Sequence, residues 1–153
     1  MPSIFLQRQK DDFFRDITSL GSVWIFIVLM IFSLIFESYM LFAELALGLA
    51  VIYLAIIILR SLFFKERPKK YEYKTLIDRL DAASFPSNHS ARTSFLAILF
   101  MDYFNNAVIS AFLILFAVIV LYSRIYLKKH DFKDVLGGVV LGVLVYYGLA
   151  IVL

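Results

Sequence analysis

The chain has no cysteine, which excludes disulfides, thiolate metal sites and cysteine nucleophiles. Its twelve acidic residues are scattered, so no carboxylate cluster of the kind that holds Mg²⁺ is formed along the sequence. The opening residues, MPSIFLQRQKDDFF, lack the apolar core and cleavage site of a signal peptide. Internal repeats and low-complexity tracts are also absent. What fills the chain is hydrocarbon: 62% of its 153 residues are hydrophobic, and the mean hydropathy is +0.86. Soluble domains hold roughly 45–50% apolar residues, and a chain this short exposes too much surface to hide the excess from water. Lipid is the simpler solvent, and the expected partner is the bilayer, with no nucleic acid. Residues 1–153 read as one membrane-embedded domain.

A spanning helix needs about 20 mostly apolar residues, and in lipid the backbone must satisfy itself by helix formation. Five such spans are expected: about Leu20 to Phe36, Leu41 to Phe64, Ser87 to Phe104, Ala107 to Tyr122, and Asp134 to the C-terminus. The fold class is therefore all-α, a polytopic membrane helix bundle. Before the first span, Phe13, Phe14, Ile17 and Leu20 recur at helical spacing among charged residues. Residues 1–18 thus read as an amphipathic interfacial helix, with a solvated tail as the plainer alternative. Residues 65–85 form the one long polar connection, which can carry a short helix around Thr75 to Ala82. Loops of that length often serve a site.

Five spans put the N-terminus, the 65–85 loop and the Arg124–Lys133 segment on one face. All fifteen lysines and arginines lie on that face or just inside it, while Glu37, Glu44 and Asp102 mark the other. The positive-inside rule makes the basic face cytoplasmic. Arginines needed to hold an anion would bias this count, but setting aside Arg60, Arg67, Arg92 and Arg124 leaves eleven on the same side.

Three chemical islands converge there. His130 and Asp134 are four residues apart and share a helix face. The carboxylate can accept the Nδ1–H of the imidazole and leave Nε2 as a nucleophile, or simply cap the helix. His89 follows Phe85-Pro86-Ser87-Asn88 at a helix start, where free N–H groups and the dipole suit phosphate. There it can act as general acid, whereas Pro86 and Ser87 are equally explained as a cap. Arg60, Arg67 and Arg124 sit at span edges and match phosphate oxygens in a bidentate fork; the plain alternative is snorkelling and topology signalling. Lys65, Lys69, Lys70, Lys128, Lys129 and Lys133 fit the latter role. The residues thus describe an anion site at a membrane surface, suited to a lipid phosphoester or diphosphate.

Arg60-x6-Arg67-Pro68, Pro86-Ser87-Asn88-His89 and Ser123-Arg124-x5-His130-x3-Asp134 resemble, in order and spacing, the three motifs of the type 2 phosphatidic-acid phosphatase superfamily. That family of membrane lipid phosphatases is related to vanadium haloperoxidases, and its motifs read K-x6-RP, PSGH and SR-x5-H-x3-D. Arg60 stands where the family has Lys and Asn88 where it has Gly. The resemblance implies His130 as the nucleophile forming a phosphohistidine, Asp134 as its orienting group and His89 as general acid. It implies Arg60, Arg67, Ser87, Asn88 and Arg124 as phosphate ligands, with neither metal nor other cofactor. The family core has six spans, so either the first is missing or residues 1–18 stand in for it. Ser84-Phe85-Pro86-Ser87-Asn88-His89-Ser90-Ala91-Arg92 further resembles the SFPSGHATR run of the isoprenoid-diphosphate branch. The expected reaction is hydrolysis of a polyprenyl diphosphate of undecaprenyl or dolichyl type, or of a related lipid phosphate. Alternatives are a phosphatidate- or phosphatidylglycerophosphate-type phosphatase and a lipid phosphotransferase using the same site. A non-enzymatic transporter or scaffold gives no reason for both histidines.

Overall fold

In the computed structural model, which describes residues 4–66, 75, 78, 80 and 82–153, every named element is a helix. They are α1 (Ile4–Ser19), α2 (Val23–Ile35), α3 (Tyr39–Leu62), α4 (Asn88–Phe104), α5 (Ala107–Tyr126) and α6 (Phe132–Val152). Among the described residues, α3, α5 and α6 are each long and apolar enough to cross a bilayer, and α1 with α2 makes a fourth if counted as one span bent by 44°. The amphipathic stretch before the first span is a helix, as its periodicity suggests. The span expected from Leu20 is shorter than its apolar run: α2 has 13 residues, about 20 Å at 1.5 Å per residue. That falls short of the roughly 30 Å hydrocarbon core, because the chain bends at Leu20–Gly21–Ser22.

The sequence chemistry at each helix end explains the boundaries. Asn105 adopts a left-handed conformation at φ 42° and closes α4, a geometry Asn tolerates. The Asn106 side chain then accepts from the N–H groups of Val108 and Ile109 at 3.0 and 3.1 Å and opens α5. Asp131 and Asp134 make a reciprocal capping box at the start of α6. Thr75 and Asp78 exchange the same pair of bonds, at 3.0 and 3.1 Å, where the short helix of the polar connection was expected to begin. The rest of that helix, including Leu76 and Ile77, lies outside the described residues.

The surface is inverted relative to a soluble protein. Trp24, Leu54, Phe112 and Leu144 are each 60% or more exposed, while Arg60, Arg92, Arg124, His130 and Asp134 are buried. Such an outer apolar surface belongs against lipid, and the chain is a multi-pass membrane protein. The most buried helix is α4, whose Ala91, Phe95, Leu96 and Leu99 form a core with Phe26, Leu45, Ile52 and Ile56. Its most extensive partner is α6. Gly138 and Gly142 make that approach possible: a Cβ at 138 would collide with the Ser87 carbonyl, and one at 142 with the Ala91 carbonyl and the Ser94 hydroxyl. In a membrane, where no hydrophobic force drives helices together, small residues four apart permit close van der Waals packing. This packing fixes the start of α6 against the start of α4.

Gly142→Ala is expected to lower the thermal unfolding midpoint in detergent, at a cost of about 1–3 kcal/mol from overpacking. Gly148→Ala, where nothing lies within 4 Å of the new Cβ, is expected to leave the midpoint unchanged or raise it. Equal behaviour of the two variants would contradict the close-packed interface.

Candidate active site

The functional residues gather where five chain segments meet: the end of α3, the start of α4, the end of α5, the start of α6 and the α1–α2 bend. His130 is pinned by the turn after α5. Lys128 takes a left-handed φ of 53°, and the N–H groups of Lys129 and His130 both donate to the Arg124 carbonyl, at 3.1 and 3.2 Å. This reversal tucks the His130 ring inside, where it is 3% exposed.

Asp134, fully buried, is expected to accept directly from His130. The two approach to 3.8 Å between Nδ1 and Oδ2, beyond hydrogen-bonding distance. Ser84 stands between them: its hydroxyl bonds the Asp134 carboxylate and lies 3.4 Å from His130 Nδ1. The carboxylate also accepts from the Asp131 N–H at 3.1 Å and from Lys65 Nζ at 2.7 Å. Lys65 reaches Asp131 as well, at 2.5 Å. Lys65 therefore does more than mark topology. It lies on the segment leaving α3, and its carbonyl accepts the Ser84 N–H at 2.7 Å.

His89 sits in the first turn of α4. Arg124, Arg92, His130 and Lys129 all lie within electrostatic reach of its ring, so the two histidines share one cationic region. Arg92 Nη2 approaches His89 Nδ1 to 3.5 Å. A donor on that side makes Nδ1 an acceptor and leaves the proton on Nε2. Gly21 presses against the same ring from the α1–α2 bend; a Cβ there would lie 3.3 Å from His89 Cδ2.

The arginines are braced through backbone and hydroxyl groups. Arg124 donates to the Thr18 hydroxyl at 2.7 Å. Arg92 donates to the Gly21 carbonyl at 2.9 Å and to the Tyr53 hydroxyl at 2.7 Å. Arg60 donates to the Leu80 carbonyl at 2.9 Å and the Pro86 carbonyl at 3.1 Å, holding the connection that carries Ser84 and the cis Phe85–Pro86 bond. Ser87, expected at the phosphate, turns its hydroxyl inward, accepting from the Ser90 hydroxyl at 2.9 Å and capping α4. Its N–H donates to the Asp134 carbonyl at 2.9 Å, tying α4 to α6. Asn88 carries a buried Oδ1 without a hydrogen-bond partner. The N–H groups of Asn88 and His89 open the helix, where no intrahelical acceptor exists. Arg67 lies outside the described residues.

Ser84, Lys65, Thr18, Gly21 and Tyr53 are given no part in the site by the sequence reading. Ser84 directly precedes Phe85-Pro86 in the second motif, which is a local signal; the others act across the fold and leave none.

The Lys65 ammonium is held above its ordinary range: burial works against the charge, but hydrogen bonds and charge from Asp131 and Asp134 outweigh it. Asp131 is held below the usual carboxylate range: burial opposes this, and the Lys65 hydrogen bond leads the groups that prevail.

Residues 41–153 match the PAP2 superfamily. Undecaprenyl-diphosphatase BcrC of Bacillus subtilis (strain 168) is 34% identical over 99 residues, which cover 64% of this chain and 48% of that one. The chain thus matches about half the length of this curated relative. Two crystal structures share the fold. That of Aquifex aeolicus LpxE gives a TM-score of 0.75 at 28% identity, with 91% of this chain and 84% of that one covered. That of a transmembrane PAP2-type phosphatidylglycerolphosphate phosphatase from Bacillus subtilis gives 0.74 at 21% identity, with 98% and 77% covered.

The Lys65–Asp131 pair sets a pH dependence of stability. A depressed Asp131 stabilises the fold above its unfolded pKa, and this is lost as pH falls through the folded value. A raised Lys65 stabilises below its unfolded pKa, and this is lost as pH climbs through the folded value. The melting temperature is expected to fall at both extremes. Asp131→Asn keeps a capping side chain and is expected to flatten the acid-side fall. Both groups are well exposed, so high salt should shrink the difference. An unchanged acid limb in Asp131→Asn would refute the coupling.

Proposed function

We propose, from the premise that this chain belongs to the PAP2 superfamily, that it is a membrane lipid phosphatase acting on a polyprenyl diphosphate. The observation that carries the reading is the convergence of His89, from the start of α4, and His130, from the turn between α5 and α6, within one electrostatic environment shared with Arg92 and Arg124. The 34% identity to an undecaprenyl-diphosphatase favours the diphosphate. An apolar cleft of about 160 Å³ supports a lipid tail: it is lined by Leu20, Ile25, Leu29, Leu96 and Val120 and reaches Thr93, one turn from His89.

In this mechanism the terminal phosphoryl group lies against Arg124, the first-turn N–H groups of α4, the Asn88 side chain and Arg60, and the first-motif resemblance gives Arg67 the same role. Its charge is stabilised by donors already in place, the dominant contribution in phosphoryl transfer. His130 Nε2 attacks the terminal phosphorus as its P–O bond to the leaving polyprenyl monophosphate breaks. The His89 Nε2 proton passes to the departing oxygen. Water then attacks the phosphohistidine, giving a proton to His89 while the P–N bond breaks. This releases orthophosphate and restores both rings. Asp134 balances the positive charge that develops on His130. By its charge asymmetry this face lies on the cytoplasmic side.

Purified protein in detergent with EDTA is expected to release orthophosphate from a polyprenyl diphosphate faster than from phosphatidate. His130→Ala should lower the rate at least about a thousandfold, and His89→Ala about 10²–10⁴-fold. Activity that EDTA removes, or that survives His130→Ala, would overturn the mechanism. The chain is free of cysteine, so Lys133→Cys reports orientation: an impermeant thiol reagent should label it only after cells are opened. Labelling of intact cells would overturn the cytoplasmic assignment.

A further inference from the structure

The hydrogen-bond directions around Asp134 are constrained by elementary donor counting. An ionised carboxylate only accepts. Ser84 has a single hydroxyl proton, and its bond to Asp134 Oδ2 consumes it. Towards His130, 3.4 Å away, the Ser84 oxygen therefore acts as the acceptor. The proton on that side belongs to His130 Nδ1, and Nε2 is left with the lone pair.

We propose that Ser84 and Lys65 are positioning residues for His130: the Ser84 hydroxyl links the ring to the Asp134 carboxylate, and Lys65 holds that carboxylate as an oriented anion. The geometry gives each a distinct part. Lys65 Nζ takes Asp134 Oδ1 at 2.7 Å, while Oδ2 serves the Ser84 hydroxyl and the Asp131 N–H. The two oxygens are thereby assigned, and the carboxylate plane is fixed. Ser84 and Lys65, at the two ends of the polar connection, are themselves joined through the 2.7 Å backbone bond, so the position of one is tied to that of the other. Arg60 anchors the Ser84 end at Pro86.

The charge environment makes the pairing testable. His130 is flanked by Asp134 and Asp131 from the start of α6 and by Arg124 and Lys129 from the end of α5 and its turn; His89, itself beside Arg92, approaches from α4, and Lys65 acts on the ring through its ion pair with Asp134. In Lys65→Met, the negative charge of Asp134 is no longer offset. The His130 imidazolium is then favoured, and the neutral nucleophile forms only at higher pH.

The inference rests on His130 being the nucleophile of the proposed phosphatase, and the test separates the two. On a lipid diphosphate that the wild-type protein hydrolyses, Ser84→Ala is expected to lower kcat about a hundredfold or more with KM little changed. Combining Ser84→Ala with Asp134→Asn should add almost nothing to the larger single effect, since both break one linkage. Lys65→Met should move the ascending limb of the kcat/KM–pH profile upward by about one pH unit, and Lys65→Arg should restore it. Multiplicative effects of Ser84→Ala and Asp134→Asn, or a Lys65→Met profile that loses height without moving, would overturn the proposal. An active wild type inactivated by His130→Ala but indifferent to Ser84→Ala would overturn the linkage alone. A wild type without phosphatase activity would instead overturn the reading on which it rests.

Discussion

A carboxylate with no solvent exposure, that of Asp134, governs how the rest of this structure is arranged. Burying an isolated charge costs several kcal/mol, even after relaxation, so the fold must supply partners. It does so from three directions: the Lys65 ammonium, the Ser84 hydroxyl and the Asp131 N–H. The carbonyl of the same residue receives the Ser87 N–H. One residue thereby fixes the start of α6, the end of the polar connection and the cap of α4. His130 lies four residues before it and inherits that order.

Such a node can form only if α4 and α6 come close. Gly138 and Gly142 remove the side chains that would keep them apart, and the Ser87 N–H then reaches the Asp134 carbonyl. The arginines complete the frame. Arg60, Arg92 and Arg124 each brace a segment remote in sequence, through Leu80 and Pro86, Gly21 and Tyr53, and Thr18. A guanidinium held this way has little rotamer freedom left to lose, which would lower the cost of gripping a phosphate in the proposed mechanism. The α1–α2 bend also becomes part of the site: Thr18 and Gly21 meet Arg124, Arg92 and the His89 ring.

The helical class, the location of the apolar runs and the motifs carrying His89, His130, Asp134 and Arg124 were legible in the chain because each is a local pattern. Apolar runs and cap residues occupy consecutive positions. The bend that shortens α2 was not legible, since Leu20–Gly21–Ser22 opens the apolar run and the bend is set by packing of Gly21 on His89 and Thr93. Lys65 looked like one of many interfacial lysines; its pairing with Asp131 and Asp134 spans more than sixty residues and has no periodic signature. The i, i+4 spacing of His130 and Asp134 suggested a direct bond. The capping geometry instead turns the carboxylate towards the Asp131 N–H, which leaves room for Ser84. The Gly138-x3-Gly142 pair was visible as spacing, but its partner helix was not.

The proposed mechanism requires one phosphorus atom to sit between His130 and His89. A structure determined with bound orthovanadate tests this most directly, because vanadate adopts the five-coordinate geometry of phosphoryl transfer. Vanadium is expected bonded to His130 Nε2, with His89 beside the oxygen on the opposite side. Vanadate bound away from His130, or within reach of only one of the two rings, would contradict it.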